Sequence, residues 1–250
     1  MSNLVAIILA AGKGTRMASD LPKVLHPMLG EPLVVYPIRA AQEAGASTIV
    51  VVVGYEGQRV TDEVTTRFPG SDGWLRFATQ NEQLGTGHAV MCGLPQVEQT
   101  EGVALILSGD VPLIRAQTLT ALCEGCRASP AGLSLTTFVP PEPTGYGRIL
   151  RDTEGNVQGI REHRDASDAE RAIEECNAGT YAVALEHLRA DLPRLGRDNA
   201  QGEIYATDLV ALATARGRVE AVTIDPIEAA GVNTPQQLRE LEAVARARTS

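Results

Sequence analysis

Apolar positions along this chain of 250 residues follow two rhythms. Short unbroken runs, from Leu4 through Val5, Ile7 and Ile8, at Thr48 to Val53 and at Val103 to Leu107, predict strands buried on both faces. Between them the spacing turns helical. Pro32 to Ala44 places Leu33, Pro37, Ile38 and Ala41 on one stripe, and Gln58 to Phe68, Gly87 to Leu94 and Ala116 to Arg127 read likewise. With a further strand at Leu75 to Thr79, the alternation predicts an α/β protein, a mostly parallel sheet covered by helices on both faces.

The second half is more broken. Leu133 to Val139 reads as a strand and is stopped by Pro140, Pro141 and Pro143. Arg148 to Arg151 and Val157 to Arg161 flank Asp152-Thr153-Glu154-Gly155-Asn156, whose residues are those of a hairpin turn. Strands follow at Thr180 to Leu185 and Val219 to Ile224, with a helix at Ile204 to Ala215 between them. Thr234-Pro235-Gln236-Gln237 carries a capping-box cue, and Leu238, Leu241 and Val244 form one apolar stripe behind it. No linker or repeat divides the chain, which predicts one domain over 1–250 with a hairpin-rich lid at about 140–190.

The chemistry gathers after the strands. Ala10-Ala11-Gly12-Lys13-Gly14-Thr15-Arg16 is a small-residue turn with two cations, and Lys23 follows; bare backbone donors beside cations suit the phosphates of a nucleotide. It is neither the dinucleotide fingerprint nor the Walker loop. Lys13 and Lys23 are the only lysines among 22 Lys and Arg, and a compact ammonium suits phosphate oxygens. Asp110, after the Val103 strand, is either a turn or N-cap residue or a magnesium ligand that shares the ion with phosphates. Gln80 to His88 is a further polar patch, in which the Gln80 amide can pair with a pyrimidine edge while Gly85 and Thr86 can equally be a helix entry.

A net charge of −9 argues against a general nucleic-acid binder and leaves the N-terminal cations as a local positive island. No apolar stretch reaches the length of a membrane span and the start lacks a signal peptide, so a cytoplasmic protein is expected. Cys123-Glu-Gly-Cys126 is a lone C-x-x-C, read with Cys92 and Cys176 as free thiols rather than zinc or redox groups.

Eight motifs in order, LAAGKGTRM, SDLPKVLH, EQLGTGHA, GDVPLI, PTGYGRI, EH-x-DA, N-x-G and AQGE-x-Y-x-TD, resemble the uridyltransferase (pyrophosphorylase) domain of bacterial N-acetylglucosamine-1-phosphate uridyltransferases. The resemblance implies a Rossmann-like nucleotidyltransferase fold that makes UDP-N-acetylglucosamine and pyrophosphate from UTP and N-acetylglucosamine 1-phosphate with Mg²⁺. It implies that Leu9, Ala10, Ala11 and Gly12 hold the nucleotide through the backbone, that Gln80, Gly85 and Thr86 read uracil, and that Ser108 and Asp110 complete that site. Arg16 and Lys23 would be catalytic, Gly147, Glu162, Asn177 and Asn233 would bind the sugar, and Asp110 and Asn233 would hold the metal.

The chain departs from that pattern in places. Ser108 stands where Tyr is frequent, Arg164 where Lys is common, and Ala178 where Thr is frequent. The hexapeptide-repeat β-helix of the relatives is not in the sequence, so acetyl transfer is not expected of it. The alternatives are a nucleotidyltransferase for another sugar 1-phosphate, or a non-catalytic sugar-nucleotide sensor.

Overall fold

The computed structural model describes residues 3–249. Strand β1 (Leu4–Ala10) is followed by a 3₁₀ turn at Thr15–Met17 and another at Lys23–Leu25. The two-residue strands β2 (Pro27–Met28) and β3 (Glu31–Pro32) pair with each other, and helix α1 (Val35–Glu43) starts after them. Helix α1 is thus shorter at its start than the apolar spacing predicts, because Pro32 lies in that small ribbon. The alternation continues through β4 (Thr48–Val53), α2 (Gly57–Arg67), β5 (Leu75–Thr79), α3 (Thr86–Gly93), β6 (Val103–Ser108) and α4 (Ala116–Ala128).

Strand β7 (Leu133–Phe138) leads to the hairpin β8 (Arg148–Arg151) and β9 (Val157–Arg161), then to the short helix α5 (Asp168–Arg171). Strand β10 (Cys176–Ala184), α6 (Leu185–Asp191), α7 (Asp208–Thr214), β11 (Glu220–Thr223), α8 (Pro226–Ala229) and α9 (Pro235–Thr249) complete the described chain. The Thr234 capping box forms: Thr234 Oγ1 accepts from the Gln237 amide at 3.2 Å, and Gln237 Oε1 accepts from the amides of Asn233 and Thr234.

The main sheet runs β11-β7-β10-β6-β1-β4-β5, and β8 hangs on β10 with β9 beyond it. Its pairs are parallel except those of β10, which is antiparallel to both β6 and β7, and the β8–β9 hairpin. The mixed, mostly parallel sheet matches the α/β expectation. Strands β4 and β7 are buried at every residue, as strands covered on both faces must be. One apolar cluster packs the Ile8, Val51 and Leu105 side of the sheet, and a second packs the Ile7, Val50 and Ile106 side.

The segment expected as a lid divides in two. Residues 148–161 form the projecting hairpin, whereas Cys176–Ala184 lies in the middle of the sheet, between β6 and β7. The sequence CNAGTYAVA has too few large apolar residues to announce a central strand. Helix α7 also starts later than expected, at Asp208, because Ile204 lies alongside the entry to α3: its amide donates to Leu84 O at 2.7 Å and its carbonyl accepts from the Gly87 amide at 2.8 Å.

Candidate active site

The strand order reverses at β1. The chain goes outward through β4 and β5 and returns to place β6 on the other side of β1, so the loops after β1 and β6 meet at a topological switch point. There the Gly109 amide donates to Leu9 O at 2.9 Å. A cavity of about 300 Å³ opens at this point, and every residue assigned above to nucleotide binding lines it: Leu9, Ala10, Ala11, Gly12, Lys23, Gln80, Gly85, Thr86, Ser108 and Asp110.

Glycine geometry explains two of these positions. A Cβ added at Gly12 meets nothing within 4 Å, so the backbone is open to close approach from the cavity. Gly85 has φ +108°, and a Cβ there would lie 2.5 Å from Ile204 O and 2.9 Å from Glu203 Cβ. The loop that brings Glu203 to the cavity therefore requires glycine at this position. Thr86, the first residue of α3, uses its Oγ1 to accept the Ala206 amide at 2.9 Å, which ties the same two segments. Gln80 is buried, with Nε2 donating to Gly85 O at 3.0 Å and facing His88 Nδ1 at 3.2 Å.

At the mouth, three distant parts of the chain converge. Lys23 Nζ pairs with Asp110 Oδ2 and donates to Asn233 Oδ1 at 3.1 Å, and Arg16 Nη2 donates to the same oxygen at 2.9 Å. The backbone agrees, since the Val232 amide donates to Asp110 O at 2.9 Å. Helix α4 begins at Ala116 with Arg115 as its N-cap residue, so Asp110 is not a helix cap. A carboxylate and an amide oxygen gathered about one cation are hard oxygen donors of the kind Mg²⁺ takes, with the remaining positions left to phosphate and water. The residues therefore fit that ion. Among the described residues no group of three or more His, Cys, Asp or Glu forms an all-protein metal site.

The residues assigned to the sugar lie close by. A second cavity, of about 480 Å³, is lined by Arg16, Gly145, Glu162, His163, Arg164 and Gln201. A Cβ at Gly147 would sit 3.6 Å from both carboxylate oxygens of Glu162. The Asn177 amide donates to Gly147 O at 2.8 Å, which joins β10 to the root of the hairpin. The Asn177 side chain is engaged within the protein: Nδ2 donates to the Tyr181 hydroxyl at 2.6 Å, and Oδ1 accepts from the Gly179 amide at 3.0 Å. Burial raises the Glu162 carboxyl above the usual range, and Asp165, Asp208 and Glu203 push in the same direction.

Lys13 does not join the other cations. Its Nζ lies over the Tyr55 ring, 5.0 Å from the centroid, and it does not line the cavity. Gln83 and Glu203 do line it, and sequence reading assigned them no role. Gln83 Nε2 donates to Ala11 O at 3.0 Å and holds the glycine loop. Both stand inside motifs quoted above, EQLGTGHA and AQGE-x-Y-x-TD, so the motif signal was present while the particular contact was not.

Comparison with known proteins now bears on this site. Residues 6–175 match the family model of the MobA-like NTP transferase domain. The chain belongs to that family. This NTP transferase chain is 48% identical over 252 residues to a bifunctional protein GlmU of Trichlorobacter lovleyi, covering 100% of the chain and 54% of the relative. It is 45% identical over 250 residues to the GlmU of Geobacter sulfurreducens, with 99% and 52% covered. The chain thus spans about half the length of these curated relatives. A crystal structure of UDP-glucose pyrophosphorylase complexed with UDP-glucose superposes with a TM-score of 0.78 at 18% identity, covering 99% of this chain and 100% of that one. The fold is therefore the Rossmann-like nucleotidyltransferase fold that the motifs implied.

Proposed function

We propose that this NTP transferase domain transfers UMP from UTP to N-acetylglucosamine 1-phosphate, giving UDP-N-acetylglucosamine and pyrophosphate. The observation that carries the reading is the switch-point cavity, at whose mouth Lys23, Arg16, Asp110 and Asn233 form one hydrogen-bonded group. The similarity to GlmU relatives over the whole chain supports the choice of reaction.

In this reading a phosphate oxygen of the sugar 1-phosphate forms the new bond to the α-phosphorus of UTP, in line with the bond to the β-phosphate that breaks. The phosphate anion is already a nucleophile, so no general base or covalent intermediate is needed. The protein aligns the two anions and offsets their charge. Backbone amides of Ala10 to Gly12 approach the phosphates, and Arg16 and Lys23 neutralise charge on the transferred and leaving groups. Gln80, Gly85, Thr86 and Ser108 enclose the nucleoside, while Gly147, Glu162 and Asn177 meet the acetamido sugar, with Asn233 at the junction. Asp110 and Asn233 would hold Mg²⁺, which when bound would supply further neutralisation of the phosphate charge.

The domain acts in this reading as a single unit over 1–250, with residues 148–161 over the sugar. A cytoplasmic setting accords with four cysteines that are all free thiols, and no helix among the described residues is long and apolar enough to cross a membrane. The test is pyrophosphate release with UTP, N-acetylglucosamine 1-phosphate and Mg²⁺, run beside glucose 1-phosphate and dTTP. Preference for the first pair supports the reading. Binding of UDP-sugars without turnover, or preference for another pair, overturns it.

A further inference from the structure

Asp110 and Asn233 belong to loops with no sheet pairing between them, yet they converge on one ammonium group. Two links hold these loops together. At one end the Val232 amide donates to Asp110 O. At the other, the carboxylate of Glu228 is buried, with 1% of its side chain exposed, and takes two hydrogen bonds from Arg115, the backbone amide to Oε1 at 3.0 Å and Nε to Oε2 at 2.9 Å, while Nη2 adds an ion-pair contact to Oε2 at 2.8 Å. Between the links Gly231 passes the Asp110 carboxylate, where a Cβ would stand 3.6 Å from Oδ2. The two loops therefore run as an antiparallel pair, pinned at 110–232 and 115–228.

We infer that Glu228, through Arg115, is a positioning residue that sets the spacing between the Asp110 carboxylate and the Asn233 amide oxygen for a divalent cation; the inference rests on the nucleotidyl transfer proposed above. A buried carboxylate is expensive unless fully hydrogen-bonded, and here both oxygens are bonded to a single residue. Those bonds fix where the segment ending at Asn233 crosses the loop after β6. Glu228 touches neither cavity described above, so its effect reaches the ion only through the backbone, as outer partners of metal ligands do.

The test titrates Mn²⁺ into the protein saturated with UTP, reads protein-held Mn²⁺ by electron paramagnetic resonance, and uses Asp110→Asn as the control that removes the site. Glu228→Asp keeps the charge and shortens the reach, whereas Glu228→Gln keeps the reach and removes the charge. Both are expected to weaken Mn²⁺ binding about tenfold. They should also raise the Mg²⁺ concentration for half-maximal pyrophosphate release, with turnover at saturating Mg²⁺ within about twofold of the parent. Glu228→Asp with parental Mn²⁺ affinity overturns the inference. If neither Glu228 variant folds, Arg115→Met decides, since half of that side chain is exposed: weakened Mn²⁺ binding supports the inference and parental binding overturns it. Weakened Mn²⁺ binding in a protein that releases no pyrophosphate with N-acetylglucosamine 1-phosphate leaves the clamp standing and removes the reaction.

Discussion

Lys23 and Asp110 form a partly buried ion pair across the switch point, with 16% and 18% of their side chains exposed. The pair places a fixed positive charge where β1 and β6 open onto the cavity. Lys23→Ala removes that charge, and Arg16→Ala removes the second cation that reaches Asn233. Each is expected to lower turnover at least about tenfold, equivalent to about 1.4 kcal/mol of transition-state stabilisation. Lys23→Arg should not restore the rate, because a planar fork does not replace a point charge. Pyrophosphate release at saturating substrates measures this, and near-parental rates in both alanine variants would refute the assignment.

Gly85 and Gly12 should respond in opposite ways to alanine. At Gly85 the new methyl group meets Ile204 O in a left-handed backbone, which is expected to cost about 2 kcal/mol of stability. For a chain of this size that lowers the melting midpoint by about 4–8 °C. Gly12→Ala meets open space and should melt like the parent while UTP binding weakens, because the methyl group occupies the path to the backbone. Thermal melts followed by circular dichroism, with UTP titrations, separate the two effects.

Glu162 gives a dependence on pH. Its folded carboxyl pKa is raised by burial, so the folded state holds the proton more tightly than the unfolded chain does. The penalty is absent at pH below the ordinary carboxylate value and grows as pH rises through the raised folded value. Glu162→Gln is therefore expected to be more stable than the parent at pH 7–8 and to match it at about pH 4. Its KM for N-acetylglucosamine 1-phosphate should rise about tenfold through loss of a charged hydrogen-bond acceptor. Urea melts across the pH range, with KM measurements, check both outcomes.

The cysteines should prove inert rather than catalytic. Burial pushes the Cys123 thiol up to about 11 and the Cys126 thiol up to about 12, so neither is a thiolate near neutral pH. Cys126 also spends its S–H on Gly132 O at 3.3 Å. Iodoacetamide at pH 8 is expected to modify half-buried Cys92 first and to spare Cys123 and Cys126 in the folded protein. Peptide mass spectrometry reads the order of labelling.

The strands of the first half were legible because burial on both faces demands continuous aliphatic runs, and TIVVVV and VALIL have no other plausible fate. Gly12 and Asp110 were legible because each stands just past such a strand, whereas Leu9, Ala10 and Ser108 lie inside β1 and β6, and Leu9 and Ser108 entered only through the resemblance of the motifs. What escaped depends on pairings remote in sequence. β10 is a central strand only because β6 and β7 both accept it, and the start of α7 is delayed only because Ile204 binds beside Leu84. Lys13 looked equivalent to Lys23 in sequence. It diverges because Gly14, at φ +66°, sends the chain round so that Lys23 packs on it, while Lys13 is left over Tyr55. Glu228 carried no local signal, since its partner lies across a loop contact.

The placement of β10 also has a bearing on synthesis. Strand β7 has only β10 and β11 as neighbours, and both leave the ribosome after it. Until Ala184 clears the exit tunnel, β6 presents a bare edge and β7 has nothing to dock on. The nascent chain therefore passes through an interval in which two strand edges can pair wrongly with other polypeptides, and chaperone demand should peak there. Premature termination just before Cys176 would leave that exposed edge permanent.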